Sequence, residues 1–228
     1  MTKRITVAID GPAGAGKSTL ARRVAARLGF LYIDTGAMYR AVALWAGRAG
    51  VSWEDRGGLE RLALEAELEL TPEGRVLLNG EDVSAAIREP EMSQAASVVS
   101  AIPGVRRALV IKQQQMGAAS SCVMEGRDIG TVVFPEAEVK IFLDASPEER
   151  ARRRVSDLAS RGIAAGFGEV FEEMKQRDER DSTRPDSPLR QAPDAIYIDS
   201  SGLDENQVEE ALLRIVRERT SNGKEVQR

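Results

Sequence analysis

Residues 11–18, Gly-Pro-Ala-Gly-Ala-Gly-Lys-Ser, match every fixed position of the phosphate-binding pattern G-x-x-x-x-G-K-[ST]. Glycines let backbone N–H groups turn inward around a polyphosphate, and the N-terminus of a following helix adds partial positive charge. Lys17 has the length to reach the β- and γ-phosphates, and the Ser18 hydroxyl can bind Mg²⁺. A glycine turn that joins a strand to a helix is the alternative. We expect these residues to contact a nucleoside triphosphate: Gly11, Pro12, Ala13, Gly14, Ala15, Gly16, Lys17, Ser18 and Thr19.

The composition limits which chemistry can accompany this loop. The 228 residues include no histidine, which removes the commonest general base and every Ser-His mechanism. Cys122 is the only cysteine, so there is no internal disulfide and no thiolate zinc cluster. Phosphoryl transfer remains well suited, because it depends mostly on positioning and on charge neutralisation.

The charge balance indicates a small anionic ligand rather than a nucleic acid. The net charge is −4, and six of the 32 basic residues are lysine, which leaves 26 arginines. Arginine holds phosphate oxygens in a bidentate fork, although coding bias or thermal adaptation also enriches it. The net acidity argues against general nucleic-acid binding. No apolar run is long enough to cross a membrane and the N-terminus lacks a signal-peptide core, so we expect a cytoplasmic protein.

Apolar strand patterns alternate with helical patterns along the chain. This alternation predicts an α/β fold with a doubly wound parallel sheet and helices on both faces. Thr19 to Leu28 has the pattern of an amphipathic helix closed by Gly29, and Ser146-Pro147-Glu148-Glu149 is typical of a helix start. The predicted strands are Ile5–Asp10, Leu31–Ile33, Cys122–Glu125, Val139–Asp144 and Ile196–Asp199.

Two stretches interrupt the alternation. Glu67–Val83 has short apolar runs separated by Pro72-Glu73-Gly74 and Asn79-Gly80, which predicts an inserted antiparallel hairpin or three-stranded sheet. Arg161–Gly168 holds three glycines between two highly charged helices. It is typical of either a mobile cover or an ordinary loop.

Three charged clusters suggest a second, anionic substrate, and each has a structural alternative. Asp34–Arg40 follows a strand and opens a helix, where Thr35 is also a candidate helix cap. Glu125–Thr131 puts Arg127 and Asp128 on one turn, which would also suit a structural ion pair. Lys175–Arg184 repeats arginine at one-turn spacing, as a solvated helix face would.

Together these stretches resemble the bacterial cytidylate (CMP/dCMP) kinases over nearly the whole chain. The pairing of Gly-Arg-Asp-Ile-Gly-Thr-Val-Val-Phe-Pro (126–135) with Arg-Asp-x-Arg-Asp-x-x-Arg (177–184) is far more specific than the phosphate loop alone. The other matching segments are 9–18, 34–40, 80–84 and 139–145. Thr35 stands where the family is expected to have serine, and Glu125 where it often has aspartate.

The resemblance implies a single domain over 1–228 with three parts. A P-loop core would carry a small antiparallel β/helical nucleoside-monophosphate-binding insert at about 41–95 and a helical lid near 151–172. The implied reaction is ATP + (d)CMP → ADP + (d)CDP with Mg²⁺. A monomer is the default expectation for this architecture.

The resemblance also implies roles for individual residues. The acceptor phosphate would lie against Arg40, Arg127 and Arg184, beside Thr35. Cytosine would face Ser97, Arg106 and Asp128, and the sugar would face Arg177 and Asp181. Arg152, Arg153 and Arg154, near the start of the lid, are alternative candidates for contact with the charge of the transition state, and Arg154 is also expected to bind the donor. The expected catalytic residues are Lys17, Arg127, Arg177 and Arg184, with Ser18 on the metal.

Two other functions fit part of the pattern. A P-loop kinase for a different small anionic acceptor, such as another nucleotide or shikimate, would use the same phosphate loop. A nucleotide-binding switch module would want Asn-Lys-x-Asp for guanine, and the sequence has no such motif. The arginine clusters at 127 and 177–184 favour CMP.

Overall fold

The computed structural model describes residues 4–71 and 73–225. Strands and helices alternate through these ranges. The β-branched apolar runs become buried strands, and the amphipathic runs become helices that cover them. The strands are β1 (Thr6–Asp10), β2 (Leu31–Asp34), β3 (Leu68–Leu70), β4 (Val76–Leu78), β5 (Glu81–Asp82), β6 (Cys122–Gly126), β7 (Val139–Asp144) and β8 (Ile196–Asp199). The α-helices are α1 (Lys17–Leu28), α2 (Thr35–Arg48), α3 (Arg56–Glu65), α4 (Pro90–Val99), α5 (Pro103–Ala119), α6 (Pro147–Ser160), α7 (Phe167–Thr183) and α8 (Glu205–Glu225).

The central sheet is parallel throughout its described strands and has the order β2-β6-β1-β7-β8. In its register Asp10 lies opposite Gly126, and Asp34 lies opposite Glu125. The carboxyl ends of β1, β2 and β6 therefore meet at one edge, where ligands bind in open α/β sheets. The predicted doubly wound fold is confirmed, and each predicted strand agrees with the structure to within one residue at either end.

Both faces of this sheet are covered by helices. Ile9, Ile141 and Leu143 are fully buried, and they belong to a cluster that includes residues of α1 and α8. Burying such a side chain stabilises the fold by roughly 1.5–3 kcal/mol. The strands that lead to the sheet edge are therefore held firmly in place. Cys122 lies in the opposite cluster, and burial raises the pKa of its thiol to about 11, as expected of an inert buried cysteine.

A second, antiparallel sheet has the order β3-β4-β5 within the described residues. Asn79 and Gly80 form its tight turn with φ values of 51° and 82°. The sheet packs in one apolar cluster with helices α2 to α5. The structure therefore confirms a small antiparallel sheet inside the main fold. The insert boundaries of 41–95 fall inside α2 and α4, and they stay a prediction.

Helices α6 and α7 form a pair joined by residues 161–166. Ser146 caps α6 by accepting a hydrogen bond from the Glu149 amide at 3.2 Å, as the sequence predicted. The predicted lid range of 151–172 begins inside α6 and ends inside α7, and its role as a lid stays a prediction. Among the described residues, no helix is long and apolar enough to span a membrane.

Candidate active site

The phosphate-binding loop connects β1 to α1 at the carboxyl edge of the central sheet. Gly14 and Gly16 have φ values of 74° and 89°, which favour glycine. Gly11 is required by space as well, since a Cβ there would lie 1.9 Å from the Leu143 carbonyl oxygen. Lys17 lies across the loop and its Nζ donates to the Pro12 carbonyl oxygen at 2.6 Å. The loop thus has the fold its motif predicted.

Lys17 is buried in a positively charged neighbourhood. Burial and, to a smaller extent, the positive charge of Arg127 together lower the pKa of its ammonium group to about 7. The carboxylates of Glu125 and Asp10 oppose this effect only in part. An anion bound in the loop would restore the charged form of the side chain.

Asp10 ends β1 and is buried at the bottom of the site. Its two carboxylate oxygens accept hydrogen bonds from the amides of Ile129 and Gly130, each at 2.8 Å. Burial raises the pKa of Asp10 to about 6, although these two hydrogen bonds act in the opposite direction. The contact fixes the turn that directly follows Arg127 and Asp128, so Asp10 positions both.

Glu125 is the next-to-last residue of β6 and lies beside the start of α1. Its carboxylate accepts a hydrogen bond from the Tyr32 hydroxyl at 2.9 Å, and the Ser18 hydroxyl lies within hydrogen-bonding reach. Burial raises the pKa of Glu125, and the nearby charge of Asp34 raises it further. In the described part of the chain, no three Cys, Asp or Glu side chains are grouped to hold a metal unaided. The oxygens of Ser18 and Glu125 fit Mg²⁺, which is usually held by few side chains together with phosphates.

Four arginines lie near one another beside the loop, and carboxylates pair with three of them, Arg40, Arg127 and Arg154. Arg177 carries a buried Nε atom that has no hydrogen-bond partner among residues 4–71 and 73–225. Burial lowers the pKa of Arg177 to about 10, and the positive charges of Arg127, Arg40 and Arg154 contribute to the shift. A buried excess of positive charge is unfavourable unless an anion joins it. The unpartnered Arg177 nitrogen makes this cluster a candidate anion site.

Asp181 holds two of the predicted acceptor-site arginines. Its carboxylate is 2.9 Å from Arg127 Nε and 3.7 Å from Arg184 Nη1. Burial alone would raise the pKa of Asp181, but the charges of Arg127, Arg177 and Arg184 outweigh it and the pKa is lowered. Asp181 and Arg184 are both buried. The solvated-face alternative is therefore wrong for these two residues, although Arg180 on the same helix is exposed.

The predicted base-reading residues form a second buried group. Arg106 pairs with Asp128 through a short hydrogen bond and also donates to the Ser100 carbonyl oxygen at 3.2 Å. Arg106 also lies over the Tyr39 ring, 5.5 Å from its centroid. Because Asp128 pairs with Arg106, the alternative of a structural pair between Arg127 and Asp128 is wrong. The group offers a carboxylate and a guanidinium side by side.

Thr35, a candidate cap from the sequence, is not the residue that caps α2. Asp34, not Thr35, caps the helix by accepting a hydrogen bond from the Ala37 amide at 2.9 Å. The Thr35 hydroxyl instead donates to the Glu125 carbonyl oxygen at 2.7 Å. Asp34 also pairs with Arg40 at 2.9 Å, so the structure places Arg40 at the same sheet edge.

The three consecutive lid arginines point in different directions. Arg152 is exposed, Arg153 donates to the Ser200 carbonyl oxygen at 2.8 Å, and Arg154 pairs with Asp157 at 2.9 Å. The positive charge of Arg154 also contributes to the lowered pKa of Arg177. Ser97 accepts from Arg180 Nε at 3.2 Å.

Three residues of the site were missed by sequence reasoning. Asp10 had a usable signal, since a carboxylate that ends a buried apolar strand needs partners. Tyr39, under Arg106, and Arg180, beside Ser97, lie within recognised motifs but have no local pattern that gives their contacts.

Comparison with known proteins agrees with this geometry. The family model for cytidylate kinase matches residues 7–218. The chain belongs to the cytidylate kinase family. The cytidylate kinase of Solibacter usitatus (strain Ellin6076) is 60% identical over 225 residues, covering 98% of this chain and 97% of that protein. A cytidylate kinase from Geobacter sp. (strain M21) is 51% identical, covering 96% of this chain and 95% of the relative.

A solved structure supports the fold of this cytidylate kinase family member. A gluconokinase from Sinorhizobium meliloti 1021 aligns with a TM-score of 0.51 at 12% sequence identity, covering 99% of this chain and 100% of the gluconokinase. At that identity the likeness concerns the fold alone.

Proposed function

We propose that this protein transfers the γ-phosphoryl group of ATP to CMP or dCMP, giving ADP and CDP or dCDP. The observation that carries the proposal is the excess positive charge around Arg177, directly beside Lys17 and the phosphate-binding loop. Two polyanions brought within bonding distance repel each other unless cations neutralise them. This site supplies cations on both sides of the point where they would meet.

In the proposed reaction the loop amides and Lys17 hold the donor phosphates. Arg40, Arg127 and Arg184 hold the acceptor phosphate and align one of its oxygens with the γ-phosphorus. That oxygen is already ionised, so no general base is needed, in agreement with a sequence that has no histidine. Ser18 and Glu125 would hold Mg²⁺, which would supply further charge neutralisation.

Arg177 and Arg154 are proposed to act on the transferring group. The unpartnered Nε of Arg177 makes it available to phosphate oxygens as negative charge spreads during transfer. Arg154 extends from α6 toward the same cluster. Asp181, which holds Arg127 and Arg184, is proposed to contact the sugar as well.

The base preference is proposed to come from Asp128, Arg106 and Ser97. Cytosine presents an amino donor and a ring-nitrogen acceptor, and uracil presents the reverse. The Asp128 carboxylate accepts from the amino group, whereas it would face a carbonyl oxygen of uracil. Mispaired buried polar groups cost roughly 1–3 kcal/mol each, enough for tenfold discrimination or more.

ADP release with Mg²⁺-ATP tests the proposal when CMP, dCMP, UMP, AMP, GMP and shikimate are compared with a blank that has no acceptor. We expect fast release with CMP and dCMP and little in the blank. Release with shikimate or a purine nucleotide instead would overturn the acceptor assignment. Equal release in all wells, the blank included, would indicate an ATPase or a switch module.

The same assay tests the base-reading role through Asp128→Asn, whose amide can turn to donate to uracil. We expect the ratio of kcat/KM for CMP over UMP to fall about tenfold. Asp194→Asn is the matched control, because Asp194 is exposed and pairs with Lys140 away from the site. A general loss of activity at an unchanged ratio would contradict the role.

A further inference from the structure

Arg150 on α6 is a buried arginine that reaches the back of the phosphate-binding loop. Its guanidinium donates to the Ala13 carbonyl oxygen at 3.1 Å and to the Ala145 carbonyl oxygen at 3.0 Å. It also pairs with Asp178 on α7 at 2.5 Å, and its side chain is only 7% exposed. We propose that Arg150 is a positioning residue that orients the loop for the donor nucleotide.

The contact between Arg150 and the Ala13 carbonyl can orient the loop because the peptide group is rigid. A trans peptide is planar, and its C=O and N–H groups point in opposite directions. None of the described peptide bonds is cis. When Arg150 holds the Ala13 carbonyl on the helix side of the loop, the Gly14 N–H faces the other side. That side is the concave one, where the loop amides surround phosphate.

Packing around Gly14 shows how closely α6 and α7 are fitted to the loop. A Cβ at Gly14 would lie 2.7 Å from Met174 Cε and 2.9 Å from the Arg150 carbonyl oxygen. Ala13 also packs against the apolar cluster between the two helices. Ala13 and Gly14 are therefore held in close contact with both helices.

The pair with Asp178 connects this contact to the acceptor side. Asp178 directly follows Arg177 on α7, so its pair with Arg150 also constrains the helical turn that carries Arg177. Arginine is required because three partners in different directions need a planar fork of donors. Lysine would keep the charge but could not satisfy all three partners.

Arg150→Lys tests the proposal through direct binding of Mg²⁺-ATP in the absence of any acceptor. We expect ATP to bind about tenfold more weakly, while CMP affinity changes by less than threefold. In wild type, ATP should slow hydrogen exchange at the Gly14 amide, and this protection should be lost in the variant. The proposal rests on the proposed kinase function only for the identity of the donor. ATP binding is measured without turnover, so failure of the positioning role can be distinguished from failure of the proposed kinase function.

Arg48→Lys is the matched control, since Arg48 has no assigned role, is 43% exposed at the last turn of α2 and pairs with Glu81. It should leave both affinities within twofold of wild type. Unchanged ATP affinity in folded Arg150→Lys, or an equal loss of ATP and CMP affinity, would overturn the proposal. If Arg150→Lys does not fold, Asp178→Asn replaces it. That variant should weaken ATP binding about threefold with the same loss of Gly14 protection, and an unchanged ATP affinity would overturn the proposal.

Discussion

The chemistry of this site depends on buried charges that are left only partly compensated. Arg177 has a buried Nε with no partner in the described ranges, and Lys17 bonds a carbonyl oxygen rather than a carboxylate. Uncompensated buried charge costs stability, so such an arrangement is retained where a ligand supplies the missing charge. The two phosphate groups of the proposed reaction supply it.

The lowered pKa of Lys17 can be tested by measuring the protons taken up when ATP binds. With a pKa lowered to about 7 by burial and by Arg127, most Lys17 side chains are neutral at about pH 8 in the free protein. A bound triphosphate favours the charged form and moves the pKa back up. We therefore expect close to one proton to be taken up per ATP bound at that pH. Calorimetry in two buffers of different ionisation enthalpy measures this number.

The control for proton uptake is Lys17→Arg. Arginine stays protonated across this pH range, so the proton taken up by the lysine should disappear while a positive charge remains in the loop. Uptake should also decline at about pH 6, where Lys17 is already protonated in the free protein. Equal uptake by the two proteins at about pH 8 would show that the proton binds elsewhere.

At the scale of elements, local sequence predicted most of the scaffold. The strands that end at Asp10 and Asp144 are buried apolar runs, and their period and length define them without tertiary information. The cap of α2 was harder to predict. Asp34 and Thr35 are adjacent and both can cap, and the choice depends on Glu125, whose carbonyl oxygen accepts from the Thr35 hydroxyl. That contact joins residues 90 positions apart.

Asp34 performs two functions that can be separated by substitution. Asp34→Asn keeps a good helix cap but removes the charge that pairs with Arg40, whereas Asp34→Ala removes both. We expect the alanine variant to be less stable than the asparagine variant by about 1 kcal/mol, the usual value of a cap. Urea unfolding of the two variants measures the difference.

Loss of the Asp34–Arg40 ion pair should change the kinetics of both variants to the same extent. Loss of the Asp34 charge leaves Arg40 free to meet the acceptor phosphate, so KM for CMP should change to the same extent in Asp34→Asn and Asp34→Ala. Equal stability of the two variants would rule out Asp34 as the cap that holds α2.

At the scale of the whole molecule, the site is assembled from distant parts of the chain. Arg127 and Asp181 are 54 positions apart, and Arg150 and Ala13 are 137 apart. Motifs located most of the predicted arginines, because phosphate chemistry selects residue types and spacing. They could not locate Arg150, since a buried arginine that holds carbonyl oxygens leaves no local pattern. The roles of the remaining site residues stay predictions.

The charge distribution of the whole molecule has a kinetic consequence. The net charge is −4, so the surface as a whole repels nucleotides while the arginine cluster attracts them. Salt screens this long-range attraction, since the Debye length falls from about 10 Å at 0.1 M to about 3 Å at 1 M. We expect kcat/KM for CMP to fall about tenfold over this range at constant Mg²⁺-ATP and free Mg²⁺. The buried cations are screened much less, so kcat should change less than twofold.

Arg40→Gln should show a shallower salt dependence of kcat/KM for CMP than wild type. A parallel fall of kcat, with the protein still folded by circular dichroism, would contradict this separation of encounter from chemistry.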